Sequence, residues 1–199
     1  MRAEDVIELY SLLLERGVQI WVDGGWGIDA LLKEQTRPHK DLDALVQFDD
    51  LGRMAGLLAE RGFDLKEIWA ENRWLGHAAQ VPLISRETPA GREVATAFVL
   101  RSGNGHELDV HVLTFDSHGY GIPAWDSDSI FPPEAFEGRG AILSTPVRCL
   151  SARMQMATHT GYKLQDKDLQ DLRFLHERFG IAYLEEHAHL FPGARRERE

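Results

Sequence analysis

The chain has 199 residues, 43% of them hydrophobic and 27% charged, an ordinary globular composition that argues against disorder outside the ends. Its 22 basic and 32 acidic residues give a formal charge of -10, which disfavours a nucleic acid and favours a cationic small molecule as partner. Cys149 is the single cysteine, so an internal disulfide and a thiolate metal cluster are excluded.

The beginning of the chain predicts neither export nor membrane insertion. It lacks the basic, apolar and small-residue layout of a signal peptide, and no apolar run approaches the ~20 residues of a membrane helix. We therefore expect a cytoplasmic protein. The first predicted element is an amphipathic helix over Ala3–Glu15, where apolar residues recur at helical spacing and Gly17 follows as a C-cap.

A strand, a glycine turn and a helix are predicted next. Ile20-Trp21-Val22 is short, apolar and β-prone, and the pair Gly24-Gly25 lets the backbone turn sharply or approach a ligand closely. Residues 26–32 are predicted to form a helix whose first amide groups are able to face phosphate oxygens. Asp29 in this helix is either a surface residue or part of a site.

Two aspartates separated by one residue occupy the following strand. Leu42, Ala44 and Val46 alternate with Asp41 and Asp43, which places both carboxylates on one face. Two strand residues advance about 6.6 Å, and carboxylates that converge from there can hold divalent cations roughly 3.5–4 Å apart. The pattern therefore predicts a cation between them, against the alternative of a solvated strand face.

A polar loop, residues 34–40, delivers the chain into this strand, because Pro38 discourages a helix. It carries Arg37, whose planar charged fork suits phosphate oxygens, although an exposed arginine paired with an acid is the alternative. It also carries His39, which either orients the loop or contacts a ligand.

A hairpin is predicted further along the chain. The turn sequence Ser102-Gly103-Asn104-Gly105 separates two β-rich runs, residues 94–101 and 106–115. In the second run Asp109 and His111 share a face, while His106 lies opposite. A hydrolase metal site built from these residues is disfavoured, because no HExxH or HD signature occurs.

The remaining segments give less defined predictions. Residues 63–89, with Trp69, Trp74 and His77, are expected to be strand and loop. The glycine- and proline-rich residues 116–144 are too irregular for a core element and are expected to wrap the surface or border a binding pocket. Helical or strand patterns cover residues 49–61 (helix), 146–150 (edge strand), 152–160 (helix capped by Ser151), 166–179 (helix) and 181–190 (helix), before a charged tail, 193–199.

The motifs GGW-x2-D, T-R-x-H and D-x-D, up to residue 50, closely resemble the opening of small-molecule antibiotic nucleotidyltransferases. These are the aminoglycoside 2''-adenylyltransferase and lincosamide nucleotidyltransferase group of the polymerase-β-like superfamily. The resemblance implies transfer of a nucleoside monophosphate, first of all AMP, from ATP or another nucleoside triphosphate to a hydroxyl, with release of pyrophosphate. It implies an α/β (α+β) fold with a mixed twisted sheet flanked by helices. We expect a nucleotidyltransferase domain over residues 1–145 and a helical subdomain over 146–199 that closes over the nucleotide.

The resemblance also assigns roles to residues. Asp41 and Asp43 would hold two Mg2+ ions, and Asp109, on a neighbouring strand, would be the third metal ligand or the base. The residues expected to bind the nucleotide are Gly24, Gly25, Trp26, Arg37, His39 and Lys163, the last within the segment HTGYKLQDKDLQD, where a charged helical face is the alternative.

Other functions remain open beside this one. The acceptor is expected to be a small hydroxylated, cationic molecule such as an aminoglycoside or lincosamide. A toxin-like nucleotidyltransferase acting on a protein or tRNA is the first alternative, and the acidic composition disfavours tRNA. A catalytically silent nucleotide-binding module is the second, and the presence of all three carboxylates disfavours it. The acceptor, the preferred triphosphate and the oligomeric state are not determined by the sequence.

Overall fold

A mixed β-sheet forms the centre of the computed structural model, which describes residues 1–70, 73–76, 86–88, 91–93, 97–123 and 130–191. The helices are α1 (Ala3–Glu15), α2 (Gly24–Leu32), α3 (Phe48–Glu60), α4 (Ala152–Thr158) and α5 (Asp166–Phe179), with 3-10 helices at Pro133–Phe136 and Glu185–Leu190. The strands are β1 (Ile20–Asp23), β2 (Asp41–Gln47), β3 (Phe63–Ala70), β4 (Arg73–Gly76), β5 (Arg86–Thr88), β6 (Gly91–Glu93), β7 (Ala97–Ser102), β8 (Glu107–Phe115), β9 (Gly121–Pro123), β10 (Arg139–Ile142) and β11 (Thr145–Arg148).

The strand order in the main sheet is β1-β2-β8-β7-β3-β4, and β9 pairs with β8. The pairing of β2 with β8 is parallel, whereas the other pairings in the sheet are antiparallel. The predicted hairpin is β7 and β8, and the sheet is mixed, so the expected fold class is confirmed. Strands β5 with β6 and β10 with β11 form separate two-stranded sheets, and β11 corresponds to the predicted edge strand.

One face of the sheet is covered by helices. Apolar side chains of β2 and β8, such as Leu42 and Leu108, are fully buried against Leu13 of α1 and Leu51 of α3. This arrangement follows from the alternation in both strands, since every second residue points to the same face. The predictions of α1, α3 and α5 are confirmed, with a shift of one residue at each end of α3.

The opposite face carries a second apolar cluster that includes Trp21, Leu45 and Leu113. Phe131 and Phe136 complete it, although the prediction placed their segment outside the core. The prediction was wrong on this point because single aromatic residues bury parts of a segment that has no regular secondary structure. The indole N–H of Trp21 also donates a hydrogen bond to the carbonyl of Phe136 over 3.1 Å.

Two local predictions need correction. The glycine pair does not form a turn before the helix but lies in the first turn of α2 itself, where Gly24 has a φ of 56°. The last predicted helix, residues 181–190, is reduced to the 3-10 helix Glu185–Leu190. Residue His77, the side chains of Trp69 and Trp74, and the charged tail lie outside the described part of the chain.

Helix α5 packs against both α2 and α4. Leu172 and Leu175 of α5 are fully buried in one cluster with Ile28 and Leu32 of α2. Ser151 caps α4, accepting a hydrogen bond from the Met154 amide at 3.4 Å, as predicted. Among the described residues, no helix has both the length and the apolar character needed to cross a membrane.

Candidate active site

Three carboxylates meet where the parallel strands β2 and β8 lie side by side. The register sets Asp43 opposite Asp109, and Asp41 precedes Asp43 on the same face. Ligand atoms of Asp43, Asp109 and His111 lie within 4.8 Å of one another. The structure therefore brings Asp43 and Asp109 together, with His111 beside Asp109 at an Nε2–Oδ1 distance of 3.6 Å.

The crowding of these acidic groups perturbs their ionisation. Burial, followed by the neighbouring charges of Asp109, Asp41 and Asp23, raises the pKa of Asp43 well above its ordinary value. Burial and the charges of Asp41 and Asp23 likewise raise the pKa of Asp109 to about 7. Burial also lowers the pKa of His111 to about 4. The site thus concentrates negative charge without an equal number of protein cations.

A fourth carboxylate, Asp23, belongs to the same cluster and was not among the predicted site residues. It ends β1 directly opposite Asp43 in the antiparallel register. Its Oδ1 atom is buried and has no hydrogen-bond partner within the described ranges, and burial raises its pKa. The sequence signal was an aspartate closing an apolar run immediately before Gly24, which becomes informative only once the β1–β2 register is known.

The donor set fits a hard divalent cation. Carboxylate oxygens are the ligands that Mg2+ prefers, usually one or two from protein together with substrate phosphates. Oδ1 of Asp109 is also buried without a hydrogen bond to any described residue, as expected of an atom aimed at a ligand. A bound cation would relieve the mutual repulsion of Asp41, Asp43 and Asp109.

A cavity of about 910 Å³ opens beside the carboxylates. Six of the predicted site residues line it, namely Gly24, Gly25, Arg37, His39, Asp41 and Asp43. Its remaining lining residues are Asp23, Leu45, His111, Ile130, Phe131, Met154, Ala157, Thr158, His159, Thr160, Gly161, Tyr162, Gln165, Lys167, Asp168 and Asp171. Both the segment after β9 and the helices α4 and α5 thus contribute to the cavity wall.

The two glycines keep the floor of this cavity free of side chains. A Cβ at Gly24 would collide with the carboxylate of Asp43, and one at Gly25 would collide with His39 and Arg37. The open amide groups at the start of α2 therefore remain accessible beside the aspartates, in the manner of helix N-termini that bind phosphate.

Trp26 and Lys163, two of the predicted nucleotide-binding residues, do not line the cavity. Trp26 is 1% exposed and packs on the ring of His39, with 4.6 Å between centroids. Lys163 is exposed, whereas Lys167, in the first turn of α5, lines the cavity, and its charge opposes the rise in the pKa of Asp43. The predicted segment thus reaches the cavity through Lys167, at the start of α5, and not through Lys163.

Asp29, His39 and Arg37 form a hydrogen-bonded chain along the cavity wall. Oδ2 of Asp29 lies 2.5 Å from Nε2 of His39, and Nη1 of Arg37 lies 2.9 Å from Nδ1 of the same ring. Nη2 of Arg37 donates to Oδ2 of Asp171 in α5 over 2.6 Å. Asp29 is thus a buried part of this network rather than a surface residue.

Comparisons with known proteins identify the family of the chain and solved structures of similar fold. The model of the aminoglycoside-2''-adenylyltransferase family matches residues 5–88 and 84–175. A lincosamide resistance protein from Staphylococcus haemolyticus is 21% identical over 174 residues, covering 86% of this chain and 92% of that protein.

Solved structures of similar fold include two enzymes that modify antibiotics. The lincosamide antibiotic adenylyltransferase LnuA, with lincomycin bound, superposes with a TM-score of 0.69 at 20% identity, covering 89% of this chain and 98% of that one. ANT(2'')-Ia in complex with adenylyl-2''-tobramycin gives a TM-score of 0.60 at 18% identity and 89% coverage of both chains. These likenesses establish the fold, and the match to the family model over most of the chain shows that this protein belongs to the aminoglycoside-2''-adenylyltransferase family.

Proposed function

We propose that the protein transfers a nucleoside monophosphate, AMP in the first instance, from its triphosphate to a hydroxyl of a small molecule. The observation that carries this proposal is the register of β1, β2 and β8, which sets Asp43 between Asp23 and Asp109 beside the glycine-started helix α2. Acidic groups next to open backbone amides suit a triphosphate with its cations better than any purely anionic or apolar ligand.

The proposed reaction is an in-line displacement at the α-phosphorus. The acceptor oxygen forms a bond to phosphorus, the bond from that phosphorus to the bridging oxygen breaks, and pyrophosphate leaves. Asp109 accepts the proton of the attacking hydroxyl, because its carboxylate lies directly opposite Asp43 in the strand register. The protein contributes mainly by holding the two reactants in line.

We assign Asp41, Asp43 and Asp109 as the residues that hold magnesium, as two ions, together with the triphosphate. Bound there, magnesium would neutralise the charge that develops on the phosphate oxygens. Gly24 and Gly25 leave room for the phosphates, and Arg37 receives their oxygens. A lysine near the triphosphate remains part of the proposal. Because Lys167 lines the cavity and Lys163 does not, we assign this role to Lys167.

The acceptor is proposed to be a cationic antibiotic of the lincosamide or aminoglycoside class. Asp23 and Asp168 add negative charge to the cavity, which favours a cation. Apolar side chains on another part of the wall, such as Phe131 and Met154, offer contact to an uncharged portion of the same molecule. We further propose that α4 and α5, within the expected subdomain 146–199, enclose the nucleotide against the sheet of residues 1–145.

A pyrophosphate-release screen tests this function. Lincosamides, aminoglycosides and simple sugars are each offered with each of the four nucleoside triphosphates and magnesium. We expect release that requires an antibiotic acceptor and is strongest with ATP. Release with none of these acceptors, while ATP still binds, would overturn the proposed acceptor class. A gel-shift experiment with tRNA at low salt is expected to show no complex, because of the charge of -10.

A further inference from the structure

Arg37 and Asp171 form an ion pair in the wall of the cavity although 134 residues separate them. Nη2 of the arginine donates to Oδ2 of the aspartate over 2.6 Å, and the side chains are 20% and 2% exposed, respectively. Both residues line the cavity. The pair therefore connects the loop that precedes β2 with helix α5 at the place proposed for the triphosphate.

His39 holds the other end of the guanidinium. An arginine can only donate, so Nη1 donates to Nδ1 of His39 over 2.9 Å, and the ring hydrogen is on Nε2. Nε2 donates in turn to Oδ2 of Asp29 at 2.5 Å. The other oxygen of Asp29 accepts from the amide and the hydroxyl of Thr36, at 3.1 and 2.7 Å. The arginine is thus attached to a network with a fixed direction of donation.

Asp171 comes from a part of α5 that cannot easily move. Its neighbour Leu172 is fully buried against α2, and Leu175 is buried one turn later. A carboxylate on a packed helix is positioned more rigidly than one on a loop. Asp171 therefore supplies a fixed point to which the side chain of a loop residue, Arg37, is held.

We propose that Asp171 is a positioning residue that fixes the guanidinium of Arg37 so that the remaining N–H groups of its two terminal nitrogens face the triphosphate. This inference rests on the proposed function, in which Arg37 receives phosphate oxygens. With one hydrogen on each terminal nitrogen already donated, to His39 and to Asp171, the second hydrogen on each is left for the ligand. Holding the fork in place before binding removes the ordering cost that a free arginine would incur.

The carboxylate of Asp171 also has an effect that weakens ATP binding, since its negative charge repels phosphate. Substitutions can separate this repulsion from the positioning of Arg37. Asp171→Ala removes both the charge and the hydrogen-bond acceptor, whereas Asp171→Asn removes the charge and keeps an oxygen for Arg37. If positioning dominates, the alanine variant binds ATP more weakly than the wild type, and the asparagine variant binds it about as well.

The experiment measures ATP affinity by calorimetry with magnesium and without any acceptor. The variants are Asp171→Ala, Asp171→Asn, Arg37→Ala and the double variant Arg37→Ala/Asp171→Ala, with Glu177→Ala as a control that removes an exposed acidic charge from the same helix. We expect Asp171→Ala to weaken ATP binding about tenfold, Asp171→Asn to stay within about threefold of the wild type, and Glu177→Ala to have no effect.

The double variant decides whether Asp171 acts through the arginine. We expect its ATP affinity to match that of Arg37→Ala within about twofold, because a positioning residue has nothing left to position. If Asp171→Ala lowered the ATP affinity of Arg37→Ala as much as it lowers that of the wild type, Asp171 would only support α5. If Asp171→Ala bound ATP more tightly than the wild type, Asp171 would compete with phosphate. Either result overturns the inference.

A second substitution covers the case in which Asp171→Ala does not fold. Arg37→Lys keeps the charge, but one ammonium cannot reach His39 and Asp171 together and still present a fork to phosphate. We expect it to lose ATP affinity about as much as Arg37→Ala, and affinity equal to that of the wild type would refute the need for a fixed guanidinium. Failure of the wild type itself to bind ATP would instead refute the proposed function.

Discussion

Among single residues, the proposed catalysis depends most on Asp43, which lies between Asp23 and Asp109 in the strand register. Its burial among other carboxylates makes it costly to ionise without a cation and useful for holding one. The isosteric change to asparagine keeps the shape of the side chain and removes this charge, so it separates catalysis from folding.

We predict that Asp43→Asn lowers the rate of pyrophosphate release by about a thousandfold or more, because one metal-holding carboxylate is lost. The thermal unfolding midpoint should stay the same or rise, since a crowded charge is removed. The measurement is initial rate and unfolding temperature on the same preparation. Asp64→Asn, on an exposed position of β3, is the matched control and should keep both. Near-normal turnover by Asp43→Asn would refute the assigned role.

Asp109 gives a prediction about stability and pH. Its pKa is raised from 3.8 to about 7 in the folded protein. Between these values the unfolded chain releases a proton that the folded chain keeps, so the free energy of unfolding falls as pH rises through this window. Asp109→Asn lacks this dependence. We therefore expect the free energy of unfolding of Asp109→Asn, relative to that of the wild type, to increase by on the order of 1–2 kcal/mol between about pH 4 and about pH 8.

The measurement for Asp109 is urea unfolding of both proteins across that pH range with a chelator present. Adding magnesium at the high-pH end should reverse the order of stability, because the cation binds only where the carboxylates remain. A stability difference that does not vary with pH would contradict the origin assigned to the raised pKa.

At the scale of elements, helix α2 must begin without side chains in order to leave the cavity open. We predict that Gly25→Ala raises the KM for ATP about tenfold, because the added methyl displaces His39 and Arg37. Gly56→Ala is the matched control: that glycine lies within α3 with open space around its Cβ position. The free energy of unfolding of Gly56→Ala should be higher than that of the wild type by about 0.5–1 kcal/mol, and its KM for ATP should be unchanged. If both substitutions changed the KM equally, the role of Gly25 would be refuted.

The elements that sequence predicts best are those specified by local signals. The turn Ser102-Gly103-Asn104-Gly105 and the alternation around Asp109 predict the β7–β8 hairpin, because both signals lie within a few residues of the structure they determine. The neighbours of β2 are different. Its antiparallel pairing with β1 brings Asp23 into the site, but no local sequence pattern predicts the register between β1 and β2. The third carboxylate was assigned by family resemblance rather than by the spacing of residues.

At the scale of the whole molecule, the contributions of α4 and α5 could not be predicted residue by residue. The contact of Arg37 with Asp171 spans 134 positions, and a charged helical pattern gives no indication of which charge faces inward. For the same reason Lys167, and not Lys163, was found in the cavity wall. The packing of α5 on α2 decides both outcomes, and it depends on apolar surfaces distant in sequence.

The assembled cavity predicts stabilisation by its ligand. Magnesium with ATP at a hundred times the dissociation constant should add about 2.7 kcal/mol to the free energy of unfolding, which for a chain of this size raises the unfolding temperature by about 5–10 °C. Thermal unfolding with ATP, with magnesium and with both checks this. The same ligands should shift Asp43→Asn less, and no shift of the wild type at millimolar ligand would indicate a degenerate site.

We propose that the protein uses the carboxylates of β2 and β8 to catalyse transfer of a nucleoside monophosphate to a small hydroxylated acceptor. The most direct test is mass spectrometry of an antibiotic acceptor after incubation with ATP, magnesium and the protein. We predict a product whose mass has increased by one adenylyl group with the wild type and no such product with Asp43→Asn. An unmodified acceptor with the wild type, or an equal yield of adenylylated acceptor from Asp43→Asn, would contradict the claim.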